Sequence, residues 1–414
     1  MRDTELYRHL LGIERPWSVE RIELDVKEGR VDVWTVHADG ERFACPECGT
    51  VLPIYDHAPE RAWRHLDSCQ FMTYLHARPP RVNCSTHGVR QARLPWAEPR
   101  SRFTAMFERL VIDVLREADV LGAARLLRLS WDEAWNVMRR AVRRGLLAKK
   151  GRVVARLGID EKAAAKGHKY VTIVCSLDDG SVEHVADDRT IHSLDDYFAS
   201  LTPEQLHGIE AVAMDMWDPF IGAVRDHVPN GLDKIVFDPF HIMRNLNKAV
   251  DIVRKQEHRA LRAAGDETLL GTKYLWLYAD ENLPARHREH FADLRRADLK
   301  TGRAWALKES FRRLWSYATR TWAERHWRRW YFWATHSRLK PVVEAAYTVR
   351  RHIANVMTFF KHRITNALAE GVNSKIQMIK HRARGFRNRG NFKIAIYFHC
   401  GNLDLYPATH ADPG

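Results

Sequence analysis

Near residue 153 the hydrophobic period of the chain changes, and that change limits the possible folds more than any other feature. Before it, residues 104–150 read as helices, with Phe103, Phe107, Leu110, Val111, Val114 and Leu115 recurring at helical spacing. After it, VVARLGID, KYVTIVCSL, SVEHVA and IEAVAMD follow one another as short apolar runs of strand length. An amphipathic segment at 218–227 and a fifth run, KIVFD, complete this block. From 241 to about 382 the pattern is helical almost throughout, and it holds Trp276, Trp305, Trp315, Trp322, Trp327, Trp330 and Trp333, half of all the Trp. Strands joined by and followed by helices predict a multidomain α/β protein. There is no internal repeat and no low-complexity segment.

A length of 414 residues allows two to four domains at about 100–200 residues each. No run approaches about 18 apolar residues, which excludes a membrane-spanning helix. The first residues, MRDTELYRHLLGIERPW, lack the apolar run and cleavage site of a signal peptide, so a cytoplasmic protein is expected. Six Cys in so long a chain argue against a disulfide scaffold and leave metal binding or burial. The net charge of +14 points to an anionic partner, without separating nucleic acid from lipid or from a device for solubility.

Residues 1–100 are rich in turns. RIELDVKEGRVDVWTVHA (21–38) has the alternation of a hairpin with Glu28-Gly29 at its turn. CPEC (45–48) and CSTH (84–87) are two knuckles that together can close a tetrahedral zinc, predicting Cys45, Cys48, Cys84 and His87 as ligands. A closed four-ligand site is structural. Cys69, alone at the end of WRHLDSC, is read as a core residue.

VLGAARLLRLSWDEAWNVMRRAVRRG (120–145) reads as a helix-turn-helix, its domain spanning 101–152. Ala123, Ala124 and Leu127 face inward, Arg128–Ser130 break the helix, and Ser130 with Glu133 opens the next one. Ala134, Val137, Met138 and Ala141 leave Asn136, Arg139, Arg140, Arg143 and Arg144 on the other faces, a basic helix suited to the major groove and phosphates. An ordinary helical hairpin with a solvated face gives the same pattern.

The strand block ends its runs in acids. Asp160 closes LGID, Asp215 closes EAVAMD, and a later helix, TNALAEGVNSKIQMIKHRARG, carries Glu370. Three strands, a helix, a strand, then helix–strand–helix is the order of a ribonuclease-H-like fold, where the first and fourth strands are neighbours. Three carboxylates meeting there hold two divalent cations for in-line phosphoryl displacement, and magnesium suits an all-oxygen site. A lone Asp after a strand is commonly a turn or cap residue, and Glu161 and Asp218 lie beside the two Asp, so pattern alone leaves the ligand open. Asp178 and Asp179 precede Gly180 in a hairpin turn. FDPFH (237–241) adds Asp238 and His241. From Gly371 to Leu403 there is no acid, while Lys375, Lys380, Arg382, Arg384, Arg387, Arg389 and Lys393 accumulate, as a groove for a phosphate backbone requires.

These pieces together resemble one family. CPECG…CSTHG, LPWAEPRSRFT (94–104), GIDE (158–161), KGHKYVT (166–172), VAMDMWDPF (212–220), FDPFHI (237–242) and AEGVNSKIQMIKHRARGFRN (369–388) resemble, in order, the ISL3 family of bacterial insertion-sequence transposases. His87 stands where many relatives carry Cys, and zinc accepts either. The resemblance implies a DDE transposase with Asp160, Asp215 and Glu370 as the triad, which prefers Asp215 over Asp218, and Asp238 and His241 in support. It implies a catalytic domain at 153–244 and 361–405, interrupted by an all-α insertion at 245–360 whose Trp residues form a core, some free to stack on distorted DNA bases. The cofactors implied are two Mg²⁺ (or Mn²⁺) and a structural Zn²⁺. The partners are terminal inverted repeats and target DNA, bound by at least a dimer at the nucleoid. A non-catalytic DNA-binding protein and a nuclease without strand transfer are the rival expectations.

Overall fold

The computed structural model describes residues 2–165, 169–188, 190 and 192–408; Lys166–His168 of KGHKYVT lie outside them. It divides into two compact units, the residues up to Lys150 together with those from Arg382 on, and Gly151–His381. Among the described residues no helix is long and apolar enough to cross a membrane.

The first unit opens with a helix, α1 (Asp3–Leu10), and eight strands: β1 (Trp17–Asp25), β2 (Arg30–His37), β3 (Arg42–Ala44), β4 (Val51–His57), β5 (Arg61–Arg64), β6 (Met72–Ala77), β7 (Pro80–Cys84) and β8 (Gly88–Gln91). They form two four-stranded sheets, ordered β1-β2-β6-β5 and β3-β4-β7-β8. The expected hairpin is β1–β2, with Asp25 opposite Arg30 and Gly29 at positive φ in the turn. Along β2 the alternation buries Val31, Val33 and Thr35 and leaves Asp32 and Trp34 between them half-buried on the other face. Trp17, Trp63 and Trp96 meet edge-on at the centre of this core.

Three helices follow, α2 (Ala105–Glu117), α3 (Val120–Leu127) and α4 (Trp131–Ala148). Each start is fixed by a side chain: Thr104 accepts from Phe107 N, Asp119 from Gly122 N, and Ser130 and Glu133 form the reciprocal capping box. Arg128, in the left-handed region, ends α3.

The second unit holds β9 (Arg156–Ala165), β10 (Lys169–Ser176), β11 (Val182–Asp187), α5 (His192–Ala199), α6 (Pro203–Gly208), β12 (Ala211–Met214), α7 (Asp218–His227), α8 (Gly231–Lys234) and β13 (Ile235–Phe237). The sheet order is β11-β10-β9-β12-β13. β9–β11 are antiparallel, and β12 and β13 run parallel to β9, so the first and fourth strands are neighbours.

Helices then continue as α9 (Pro239–Ala263), α10 (Lys273–Leu277), α11 (Arg288–Arg296), α12 (Lys300–Arg312), α13 (Arg320–Thr335), α14 (Lys340–Arg351), α15 (Ile353–Met357), α16 (Phe359–His362) and α17 (Ala367–Arg382). The block expected as an insertion domain at 245–360 does not close a core of its own. Ile242, Leu246, Val250, Trp276, Phe311 and Trp330 share one continuous core with Leu157, Val212, Phe220 and Phe237 of the sheet layer: α9 follows β13 directly and packs its apolar side on α12 and α14, while α15 lies against β13. Trp276, Trp305, Trp327 and Trp330 are buried there, whereas Trp322 and Trp333 are exposed.

The C-terminus also departs from expectation. The resemblance places the last helix, α18 (Arg389–Cys400), in the catalytic domain (361–405), but it packs in the first unit. Phe398, Leu403 and Leu405 complete the core formed by Phe103, Phe107, Val111, Leu115, Trp135 and Val142 of the helical module.

Candidate active site and DNA-binding modules

The two knuckles sit in two hairpin turns. Cys45 and Cys48 occupy the turn between β3 and β4, while Cys84 ends β7 and His87 lies in the turn into β8. Pairing of β4 with β7 brings the turns together, and the four ligand atoms all lie within 4.8 Å of one another. Cys48 and Cys84 sulfurs are 3.7 Å apart, and His87 Nδ1 is 3.5 Å from Cys84 Sγ and 3.8 Å from Cys45 Sγ. A tetrahedron with zinc–sulfur arms of about 2.3 Å has edges of about 3.8 Å, which these three separations match. Hydrogen bonds from Thr50 bring the Cys48 thiol down to about 6, and the backbone N–H groups of His87 and Thr86 lower that of Cys84, favouring the thiolates a metal needs. Cys69 was expected in the core; it is exposed, at positive φ in the tight turn between β5 and β6.

In the helical module Ala123, Ala124, Ala134, Val137, Met138 and Ala141 are buried, as their spacing predicts. Arg139 and Arg143 are exposed, and Asn136 accepts from Arg139 at 2.8 Å. Arg140 and Arg144, expected on the DNA side, are otherwise engaged. Both pair with the buried carboxylate of Glu108, and Arg144 also grips Glu98 and donates to the carbonyl of Leu405. Glu108 would cost too much to bury without them. Sequence reasoning missed Trp131, half-exposed at the start of α4 and stacked on Trp135, although a Trp straight after a cap is a visible signal.

The acids gather by register. β12 pairs with β9 so that Ala213 lies opposite Gly158, and with β13 so that Met214 lies opposite Phe237. Asp215 and Asp160 therefore stand two residues past one matched pair, and Asp238 one past the other. All three lie at the carboxyl edge of the parallel strands, where open α/β sheets bind their ligands. Asp160 is not at a strand end, because β9 runs on to Ala165 along β10 alone. Glu161 follows it and so points to the opposite face of β9, and Asp218 is exposed at the start of α7.

Asp160 and Asp215 each give one oxygen to the backbone and turn the other to the site. Asp160 Oδ1 accepts from Glu161 N and Asp215 Oδ1 from Met216 N. Asp160 Oδ2 accepts from Asn373 Nδ2 at 2.7 Å. Asp215 Oδ2 faces His241 Nδ1 at 3.4 Å and Arg244 at 3.3 Å, and His241 Nε2 lies 3.9 Å from Asp238. Burial holds the Asp160 carboxyl above its usual range, and the charge of Asp215 adds to the rise. Burial also raises Glu370, aided by the negative charges of Asp238 and Asp160, which places it in the same field. At Asp215 burial acts upward too, but the close approach and charge of His241 outweigh it and the carboxyl lies low. His241 is correspondingly raised despite its own burial.

This donor set fits a hard divalent cation. The oxygens are carboxylates, burial and then the charge of the neighbouring carboxylates raise Asp160 and Glu370, and the buried Oδ2 of Asp238 has no hydrogen-bond partner among the described residues. The carboxylates stand wider apart than the zinc ligands; only the latter have all their ligand atoms within 4.8 Å. Asn366, whose backbone N–H donates to Asp238, Asn373 and Arg244 are the site residues that sequence reasoning missed. Gly158 makes room for the first: a Cβ there would lie 2.7 Å from Asn366 Oδ1.

Residues 157–396, more than half the chain, match the sequence model of the ISL3 group of DDE transposases, described as a transposase. The chain belongs to the ISL3 transposase family. Two further models of the same family match in order. Residues 41–87 match the zinc finger of the transposases of IS204, IS1001, IS1096 and IS1165, and residues 92–142 match the ISL3 helix-turn-helix domain. Relatives include the transposase for insertion sequence element IS1557 of Mycobacterium tuberculosis, 27% identical over all of this chain and 99% of the relative. The transposase for IS1001 of Bordetella parapertussis is 25% identical over 96% of this chain and 98% of its own.

As an ISL3 transposase the protein has DNA as its partner, and two of its basic clusters are those expected from the sequence. Arg139 and Arg143 stand on α4; Lys375 and Arg382 on α17, and Arg384 and Arg387 after it, are exposed. Lys380 is half-buried and donates to Ala163 O at 3.2 Å, and Arg389 is half-buried at the start of α18.

Proposed function

We propose that this transposase binds the terminal inverted repeats of its insertion sequence through the zinc module and helix-turn-helix, cuts the DNA at the element's ends and joins them to a target. In this reading the second unit is a ribonuclease-H-like catalytic domain, Asp160, Asp215 and Glu370 hold two Mg²⁺ or Mn²⁺, and Asp238 and His241 support them. The observation that carries it is the strand register, which lines up Asp160, Asp215 and Asp238 beside α17. Bound there, divalent cations supply Lewis-acid chemistry, offsetting charge on the reacting phosphate and acidifying the attacking hydroxyl.

The chain's own residues do the positioning. Asn373 fixes one oxygen of Asp160, and His241 and Arg244 compensate Asp215. In the first step water attacks the end phosphodiester and the P–O3′ bond breaks, leaving a 3′-hydroxyl. In the second that hydroxyl attacks a target phosphodiester and a target 3′-oxygen leaves. Each is an in-line displacement at one site. Lys375, Lys380, Arg382, Arg384, Arg387 and Arg389 hold the strand being cut, while Asn136, Arg139 and Arg143 read or grip the end. Two ends must meet, so at least two copies assemble on DNA.

Supercoiled DNA carrying both ends, incubated with Mg²⁺, tests the proposal. Cleaved and joined products are expected. Cleavage without joining would instead identify a nuclease, and tight end binding with no reaction a DNA-binding protein. Glu370→Gln is expected to abolish cleavage and to spare end binding; retained cleavage removes Glu370 from the site.

A further inference from the structure

α13 buries Ala323, Trp327, Trp330 and Ala334 and turns its opposite side to solvent. On that side stand Trp322, Arg325, Arg329, Phe332, Trp333 and His336, at i, i+3, i+7, i+10, i+11 and i+14, one face of a helix. Trp322, Phe332 and Trp333 are 55%, 64% and 45% exposed. Three large aromatics left in water on one helix mark an interaction surface. The guanidinium of Arg325 lies 4.8 Å from the Trp322 ring, and Phe332 stacks on His336 at 4.1 Å. The one acid of α13, Glu324, is tied to Arg320 at 2.7 Å, so Arg325, Arg328 and Arg329 leave the face strongly positive.

We infer that this face of α13 binds unpaired DNA, the rings stacking on bases and the arginines meeting phosphates; the inference rests on the reading of the chain as a DNA-cutting transposase. Rings interleaved with cations match a single strand, whose bases offer open faces and whose every nucleotide carries a charge. A duplex keeps its base faces inside its own stack and would use only the arginines. A second copy of the chain fits worse, because two-fold pairing of this face sets its arginines against themselves. From Trp322 to Trp333 the helix rises about 16 Å at about 1.5 Å per residue, room for about five nucleotides at about 3.4 Å each. The natural occupant is the strand freed where the element's end is cut.

The test measures binding of the full-length protein, without divalent cation, to a short labelled oligothymidylate, to a paired duplex of unrelated sequence and to the paired terminal repeat. The triple variant Trp322→Ala/Phe332→Ala/Trp333→Ala is expected to lose about tenfold or more on the oligothymidylate. Its binding to the terminal repeat and its thermal melting should not change, since the three side chains are largely solvent-exposed. Arg325→Ala/Arg329→Ala should weaken oligothymidylate binding and flatten its salt dependence. Unchanged oligothymidylate binding by the triple variant overturns the inference, as does an equal loss on single strand and duplex. A shift to a smaller oligomer overturns it too, by showing the face to be an interface between copies. Failure of the unaltered protein to bind the terminal repeat strikes the proposed function instead, and leaves the oligothymidylate comparison to decide the role of α13.

Discussion

Asn373, not Glu370, makes the direct contact between α17 and Asp160. It lies three residues after Glu370 and therefore on the same face, buried, with Nδ2 2.7 Å from Asp160 Oδ2 and its own Oδ1 unpaired among the described residues. A side chain that orients a metal-binding carboxylate typically carries about 10–100-fold in metal affinity or activity. Asn373→Ala is therefore expected to lower end cleavage by about that factor and to raise the Mn²⁺ concentration needed, with end binding unaltered. Cleavage at the unaltered rate would show that Asp160 needs no such support. His65 makes a different prediction. Burial, with a lesser push from Arg64, lowers its pKa to about 4. Between that value and the ordinary one of about 6.5 the unfolded chain binds the extra proton, so stability rises with pH across this window and levels off above it. The acid-side loss attributable to His65 is on the order of 3 kcal/mol at most. Denaturant midpoints at acid and neutral pH should differ less in His65→Gln than in the unaltered chain; an equal difference would assign the sensitivity to other groups.

At the scale of elements, what the sequence made legible was local. β9–β13 are short apolar runs between turn residues, the zinc knuckles are two residue types at fixed spacing, and the box of Ser130 and Glu133 opens α4 as its pattern requires. What escaped depends on partners far along the chain. Arg140 and Arg144 read as a basic face because nothing near them shows that Glu108 and Glu98 fold against them. Asp160 read as a strand end because EKAAA lacks a strand pattern, yet β10 carries it as one. Cys69 read as core from its residue type, and lies in an exposed turn. Gly145 of α4 is such a hidden contact: a Cβ there would come 2.5 Å from Leu403 Cβ and 2.9 Å from Asp404 O. Alanine gains about 1 kcal/mol of helix propensity, but overpacking against backbone costs about 1–3 kcal/mol. Gly145→Ala should lower the thermal midpoint of the first unit. A higher midpoint would contradict this packing of the tail on α4.

Over the whole molecule, the DNA-binding unit is discontinuous in sequence, built from residues up to Lys150 and from Arg382 onward, with Asp160, Asp215 and Glu370 all in the stretch between. The helix-turn-helix match ends at residue 142, yet its core is closed by Phe398, Leu403 and Leu405 from the far end of the chain. Arg144 donates to the carbonyl of Leu405, and Lys149 to that of Gly401 at 2.9 Å. Three buried apolar side chains at about 1.5–3 kcal/mol each amount to several kcal/mol, comparable with the whole stability of a small domain at about 5–15 kcal/mol. A chain ending at Asn388 keeps Glu370 and all of α17, and so keeps every proposed metal ligand. It is nonetheless expected to lose terminal-repeat binding by at least about tenfold, because α4 no longer has a fixed surface to lie on; each 1.4 kcal/mol of that loss is about a factor of ten. Adding residues 389–408 as a separate peptide should restore part of the affinity, since the missing pieces are a helix and a tail that dock on a preformed face. Full-strength binding by the shortened chain would mean that α2–α4 stand alone and that α18 is only a neighbour.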